Sequence, residues 1–352
     1  MRTFFKDFPE RRLPWQVSAG PEADIVLATS AALARNLRAF PFPGKASEVE
    51  LRTIRGDLIR RLGSLEPFAE GWHLDLEGLT SSERRCLQEM TQLSSRSAAD
   101  PVGKGLVLDG GLGLCLAFNG DDHLEAVATR AGWDPRAALD DVLDLDARFE
   151  QQVDFAFDAD LGYLTAYPTR VGTGLRLSAA VHLPGLVMAD EIQKLINALR
   201  QLQFTIHGFH GPGTPIRGAL FRVENLITLG RSEAEVQEDF ATHVGKIIAY
   251  ERSARRQLFG RDSLGLEDVV RRSLAILQEA RLMSSQEAFD RLSDVRLGLS
   301  LGILEGISPE TLNLALIRQQ SAHLDRLAGK GLQGKDRLAA RARHLREWLG
   351  TA

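Results

Sequence analysis

Cysteine is scarce in this chain: Cys86 and Cys115 are the only two among 352 residues. Both sit among apolar neighbours. No disulfide framework is expected, and such sparing use suits the reducing cytosol. No run approaches 18 apolar residues, so no membrane-spanning helix is expected. Residues 1–10 lack the apolar stretch of a secretion signal, and a cytoplasmic location follows as the expectation. An excess of either charge is also missing, since the net charge is −4. That excludes a global attraction to nucleic acid or to acidic membranes, and neither is expected as a partner. Basic residues concentrate only over 318–346, where they read as solvated helix faces or as an anion site. There is no internal repeat and no low-complexity linker.

What is present is ordinary for a folded protein: 44% hydrophobic and 26% charged residues. The length suits two domains, each able to build a core. Ser47 with Glu50, Thr80 with Glu83 and Ser232 with Glu235 have the spacing of capping boxes at helix starts. Leu51, Ile54, Leu58 and Leu62 follow the first on one helical face. Val236, Phe240, Val244 and Ile247 follow the third, and Ile192, Leu195, Ile196, Leu199 and Leu202 form a further stripe. Leu112, Leu114, Leu116 and Phe118 alternate with Gly113, Cys115 and Ala117, which predicts a strand with small residues on one face. Residues 204–209 and 219–223 also read as strands. After about residue 260 only helices are expected. Leu266, Val269, Val270 and Leu274 share a face, and Glu267 and Asp268 are expected to open that helix. Ser284 with Glu287, and Ser308 ahead of Pro309, start two more. The last helix runs through Arg341, Leu345 and Leu349, after a loop at 328–334. The reading is a mixed helix-and-strand domain over 1–255 and an all-helical domain over 256–352.

An ordered set of segments is more specific than any of these patterns. It begins with Asp24-Ile25-Val26-Leu27 and Leu33-Ala34-Arg35-Asn36, then Gly162-Tyr163-Leu164-Thr165 and Pro168-Thr169. Val171-Gly172-Thr173-Gly174-Leu175-Arg176 and His182-Leu183-Pro184 follow, then Asn225 with Leu229-Gly230. Glu251-Arg252-Ser253-Ala254-Arg255 and Leu292-Ser293-Asp294-Val295-Arg296-Leu297-Gly298 complete it. Over nearly its whole length the chain resembles the ATP:guanido phosphotransferases, and among them the bacterial protein-arginine kinases. The resemblance implies an α+β fold: a phosphotransferase domain with a large antiparallel sheet flanked by helices. It further implies a helical dimerisation domain with a phosphoarginine-binding motif, and Mg-ATP as cofactor.

Phosphoryl transfer depends on positioning and on positive charge around the phosphates. The resemblance assigns those roles to motifs that are altered here. The family's Ser-x-Arg-x-Arg is Ala28-Thr29-Ser30-Ala31-Ala32, without either arginine. Its Asn-Glu-Glu-Asp-His-x-Arg is Asn119-Gly120-Asp121-Asp122-His123-Leu124-Glu125, which shortens the base position to Asp121 and turns a phosphate-binding arginine into Glu125. Its Cys-Pro-Thr-Asn is Tyr167-Pro168-Thr169-Arg170, with Tyr167 in place of the cysteine and expected to plug the guanidinium pocket. Its Arg-Gly-x-x-Gly-Glu-Gly is His207-Gly208-Phe209-His210-Gly211-Pro212-Gly213, so His207 replaces an arginine and Pro212 the second catalytic glutamate. Arg176 stands, and the resemblance places a ligand near the backbone of Gly172, Thr173 and Gly174. The family's Arg-Asp-x-x-Arg-Ala is Arg337-Leu338-Ala339-Ala340-Arg341-Ala342. It keeps both arginines, read either as a phosphate site or as two exposed helix arginines.

One charge-assisted hydrogen bond contributes roughly 1.5–3 kcal/mol. Losing four arginines, at the positions of Ser30, Ala32, Glu125 and His207, removes on the order of 6–12 kcal/mol if the contributions add. Half of that is several decades in rate at about 1.4 kcal/mol per decade. The expectation is therefore a pseudokinase, a regulatory or phosphoprotein-binding subunit. As such it forms a homodimer, or a heterodimer with an active arginine kinase, and partners phosphoproteins or protein quality-control proteins. The alternatives are an active kinase with a rearranged site, using Arg170 and Arg217 as new cations, and a structural dimer with no ligand. His207 and His210 lack further ligands at metal-binding spacing, so no metal site is expected.

Overall fold

A computed structural model describes residues 4–6, 8, 11–17 and 20–350. The strands are β1 (Val26–Arg35), β2 (Trp72–Asp75), β3 (Gly105–Leu108), β4 (Leu114–Phe118), β5 (Leu124–Ala131), β6 (Phe157–Asp158), β7 (Gly162–Tyr163), β8 (Leu175–His182), β9 (Phe204–Gly208) and β10 (Leu220–Asn225). Eight of them form one sheet in the order β2-β3-β4-β5-β1-β8-β10-β9, with β6 and β7 as a separate pair. Every pairing is antiparallel. The helices are α1 (Pro14–Val17), α2 (Glu48–Leu62), α3 (Ser81–Glu89), α4 (Ser95–Ala99), α5 (Pro135–Phe149), α6 (Pro184–Met188), α7 (Ile192–Gln201), α8 (Glu233–Arg261), α9 (Ser263–Glu279), α10 (Ser285–Ser300), α11 (Pro309–Arg318), α12 (Ser321–Leu327) and α13 (Gly334–Leu349). The α+β class is as the sequence implies.

Side chains alternate across each strand, so each strand gives one set to either face of the sheet. Leu33, Leu116, Phe118, Leu177 and Val223 lie on one face, where they pack against Leu58 of α2, Val142 of α5 and Phe240 of α8. The other face is covered at its edges by Phe4, Trp15, Phe209 and the helices after α8. Its middle stays open, and the candidate site lies there.

The three capping boxes form as read, on α2, α3 and α8. Ser284 and Ser308 cap α10 and α11. One start differs: α9 begins at Ser263, because the Asp262 side chain caps it by accepting from the backbone N–H of Gly265. Glu267 and Asp268 therefore lie one turn further in, where they pair with Arg271 and Arg272. β10 is the last strand among the described residues, and α8 then runs unbroken past position 255 to Arg261.

A buried network joins α8 to the sheet and to α10. Glu251 is fully buried, and its carboxylate accepts from the N–H groups of Gly185 and Leu186 at 2.8 and 2.9 Å, at the start of α6. Arg255 donates to Glu251 at 2.6 Å, to the carbonyl of His182 at 3.0 Å and to Ser300 at 3.0 Å. His182 Nε2 lies 2.7 Å from Ser293 Oγ. Burial, with Arg255 and Arg296 nearby, pushes the His182 pKa well below its ordinary value. Several segments that carry the family resemblance meet here, so their persistence has a packing cause.

Candidate functional site

The open face of the sheet is polar where the strands turn small or charged side chains outward. Register places Ser30 of β1 beside Thr129 of β5 and Ser178 of β8. In the next row Ala32 lies between Val127 and Arg176, and Val127 is opposite Cys115 of β4. On β10, Arg222 and Glu224 share this face, since Phe221 and Val223 point into the core. These residues floor a cavity of about 460 Å³, rimmed by residues 91–97, Tyr167 and residues 210–212.

The charges in the cavity are mostly paired with one another. Glu125 Oε1 accepts from Arg176 Nη2 at 2.7 Å and from Arg170 Nη2 at 2.8 Å. Burial opposes ionisation of Glu125, but Arg176 and Arg170 outweigh it and hold its carboxyl at about 2. Arg170 Nη1 also lies 4.0 Å from Asp122 Oδ2. Asp122 Oδ1 accepts from Asn36 and from the N–H of Ala166, while Oδ2 is buried without a hydrogen bond. Burial pushes the Asp122 pKa up, against those bonds. His207 Nε2 lies 3.2 Å from Glu224 Oε2. Burial opposes ionisation of Glu224 too, yet Arg176 and His207 bring its carboxyl to about 2. At the rim, Arg96 is 2.5 Å from Asp121 and 3.4 Å from the Tyr167 hydroxyl.

The structure thus brings together Asp121, Glu125, Tyr167, Arg176 and Pro212 around one cavity. His207 stands behind its wall, held by Glu224. Tyr167 does not plug the pocket: its side is 44% exposed, because the ring stands at the rim beside Arg96. Gly172, Thr173 and Gly174 do not line the cavity. Both glycines have positive φ, 108° and 69°. A side chain at Gly172 would meet the backbone of Thr228 at 3.0 Å, and one at Gly174 the carbonyl of Ala34 at 2.6 Å. Their close approach is therefore to the protein's own chain. Thr173 is buried, and its carbonyl accepts from Arg35. Arg217, a candidate new cation, bonds Ser285 away from the cavity, whereas Arg170 reaches it. Cys115 faces the cavity, but burial pushes its thiol up, away from the reactive thiolate.

Arg337 and Arg341 lie elsewhere, on α13. Arg341 is 2% exposed, not an open helix arginine. Its Nε donates to the Gln319 carbonyl at 2.8 Å and side chain at 3.1 Å, and Nη1 to the Met283 carbonyl at 3.0 Å. Arg337 is half-buried, with Nη2 at 3.2 Å from both Asp325 oxygens.

Arg96, Asp122, Arg222 and Glu224 had not been singled out as site residues from the sequence. The alternation over 220–225 carried a signal for two of them: Arg222 and Glu224 are charged residues inside a strand whose other face is apolar. A central strand turns such residues outward only toward a polar cavity.

Comparison with known proteins gives a consistent picture. The profile described as ATP:guanido phosphotransferase, C-terminal catalytic domain, matches residues 56–254. The profile described as protein-arginine kinase McsB C-terminal domain matches residues 263–352. A protein-arginine kinase of Bacillus cereus (strain AH820) is 36% identical over 340 residues, covering 96% of this chain and 95% of the relative. One of Bacillus mycoides (strain KBAB4) is 36% identical over 338 residues, with the same coverage. Among solved structures, lombricine kinase aligns at a TM-score of 0.56 and 20% identity, over 69% of this chain and 72% of that one. The duplicated taurocyamine kinase of Schistosoma mansoni, with transition-state-analogue components bound, aligns at 0.59 and 18%, over 77% and 42%. At such identities the structures speak for the fold alone.

Proposed function

Because the chain belongs to the protein-arginine kinase family of ATP:guanido phosphotransferases, we propose that it is a member without phosphoryl transfer, acting as a regulatory or phosphoprotein-binding subunit. The observation that carries this reading is the carboxylate of Glu125 between Arg170 and Arg176. A nucleotide triphosphate needs cations that are free to meet its oxygens. Here Glu125 already occupies the surviving arginine. Four cations in the cavity (Arg96, Arg170, Arg176, Arg222) stand against four acids (Asp121, Asp122, Glu125, Glu224). The residues present do not fit Mg-ATP, because a triphosphate would bring several negative charges into a balanced site. No step of a transfer is therefore assigned to them.

The base position gives further support. Asp121, where the family has a glutamate, is tied to Arg96, and Pro212 supplies no carboxylate at the other position. Under this reading the helical region pairs the chain with a second copy or with an active arginine kinase. Phosphoproteins and protein quality-control proteins are the class of partner proposed.

An active kinase with a rearranged site is the second reading, and Arg170 favours it, being a cation in the cavity outside the family's set. One experiment separates the two: phosphotransfer from ATP to arginine-rich protein, with calorimetry of Mg-ATP and Mg-ADP beside it. No transfer and no heat at millimolar nucleotide is the expected result. Transfer that is lost in Arg176→Ala would sink the proposal.

A further inference from the structure

Of the cations in the cavity, Arg222 is the one whose terminal nitrogens no carboxylate holds among the described residues, although Glu224 lies near enough to act on its charge. Its Nε donates to the Phe209 carbonyl at 3.2 Å. Its two terminal nitrogens have no hydrogen bond or ion pair among the described residues, yet the side chain lines the cavity. By contrast Arg176 and Arg170 share Glu125, and Arg96 holds Asp121. Glu224, two residues along the same strand, makes its short contact with His207 at 3.2 Å and acts on Arg222 only through space. These terminal nitrogens face the cavity without a protein partner, and a bidentate anion is what the guanidinium fork matches.

We propose that the cavity is a receptor for a small organic molecule with one anionic group, a carboxylate or a phosphate, docked on Arg222. This deepens the reading of the chain as non-catalytic and rests on it. Charge balance sets the class. One anionic group meets one open guanidinium, whereas a second or third phosphate would face Glu125 and Glu224. Both of those stay ionised, since each is held far below its usual range by arginine. Size adds to this. The cavity of about 460 Å³ is much larger than a lone phosphate or carboxylate, so the ligand carries an uncharged body beside its anionic group. The body would lie toward Ser94, Ser95 and Tyr167, a rim of hydroxyl groups.

The test uses the whole chain and three probes: inorganic phosphate, acetate and triphosphate, each titrated by calorimetry at fixed ionic strength. Phosphate or acetate should bind at least as tightly as triphosphate. Arg222→Gln should weaken that binding about 10- to 100-fold, as loss of one charge-assisted fork implies. Arg136→Gln, on the exposed face of α5 and outside the cavity, should leave it within about twofold. Absence of binding by either single anion, binding indifferent to Arg222→Gln, or triphosphate bound much more tightly than phosphate would each overturn the inference. The transfer assay on the same preparation keeps the two readings apart. Transfer from ATP overturns the non-catalytic reading and this one with it. No transfer together with any of those three results overturns only this one.

Discussion

Glu125 on β5 and Arg176 on β8 reach across the intervening strand β1, and Glu125 Oε1 lies 2.7 Å from Arg176 Nη2. The sheet order makes the pair possible: two positions 51 residues apart become next-but-one neighbours on one face. The carboxylate stands where the family resemblance places a phosphate-binding arginine. It does to Arg176 what a phosphate oxygen would do, from inside the protein.

That pair gives a dependence of stability on pH. Glu125 has a folded pKa near 2, below the ordinary 4.5. Its contribution is therefore fully present above about pH 4.5 and is lost as the pH falls toward 2. Glu224 acts in the same window and the same direction. Urea unfolding at pH 7, 4.5 and 3 should show stability falling over the last interval. In Glu125→Gln the fall should be shallower. An unchanged pH slope in that variant would show that the pair is not held as described.

The two arginines of the helical motif should part ways on mutation. Arg341 is buried and satisfies three acceptors on Gln319 and Met283. Arg341→Ala leaves those acceptors unmet in the core, and should destabilise by about 3 kcal/mol. Among the described residues Arg337 bonds only Asp325, with 28% of its side chain accessible, so Arg337→Ala should cost about 1 kcal/mol or less. Chemical denaturation measures both. Equal effects would contradict the difference in burial.

Much of this fold was legible in the sequence, and the reason is local. Capping boxes such as Ser47 with Glu50 are complete within four residues, and the alternation over 114–118 needs only the strand itself; Leu112, read as part of that strand, has a φ of 57° and lies in the turn before it. The departures from the motifs of the family resemblance were legible too, since each is one residue read in place. What replaced them was not. Arg170 and Glu125 are 45 residues apart, and Arg96 and Asp121 are 25. No spacing rule pairs such residues; only the sheet order does. Tyr167 was misplaced for a similar reason. Its bulk suggested a plug, but its direction is set by the short turn at Pro168 and by Arg96.

The junction of Glu251 and Arg255 should matter more than its distance from the cavity suggests. Both are buried, at 0% and 2% side-chain exposure. Removing one partner leaves an uncompensated charge, and either Glu251→Ala or Arg255→Ala should cost about 3–5 kcal/mol. Replacing both by apolar residues of similar size should recover part of that. The double variant in thermal unfolding is the check: a loss equal to the sum of the singles would mean the two do not act as a pair.

On the proposed non-catalytic reading, a nucleotide site is regained only when several family arginines are returned together. Glu125→Arg alone removes the internal carboxylate, but leaves Ser30, Ala32 and His207 without charge. His207→Arg alone places its cation beside Glu224, which would quench it at close range. Ala32 and Ser30 line the cavity, so arginines there have room to extend. The combination Ser30→Arg, Ala32→Arg, Glu125→Arg, His207→Arg with Glu224→Ser should therefore gain Mg-ADP binding that none of the single variants shows. Four regained charge-assisted contacts, even at half strength, predict a gain of about 100-fold or more in affinity. Calorimetry on the folded variant reads it, with circular dichroism to confirm the fold. If the Glu125→Arg variant by itself binds Mg-ADP as tightly as the combination, then the lost arginines were never limiting, and Glu125 alone kept the nucleotide out.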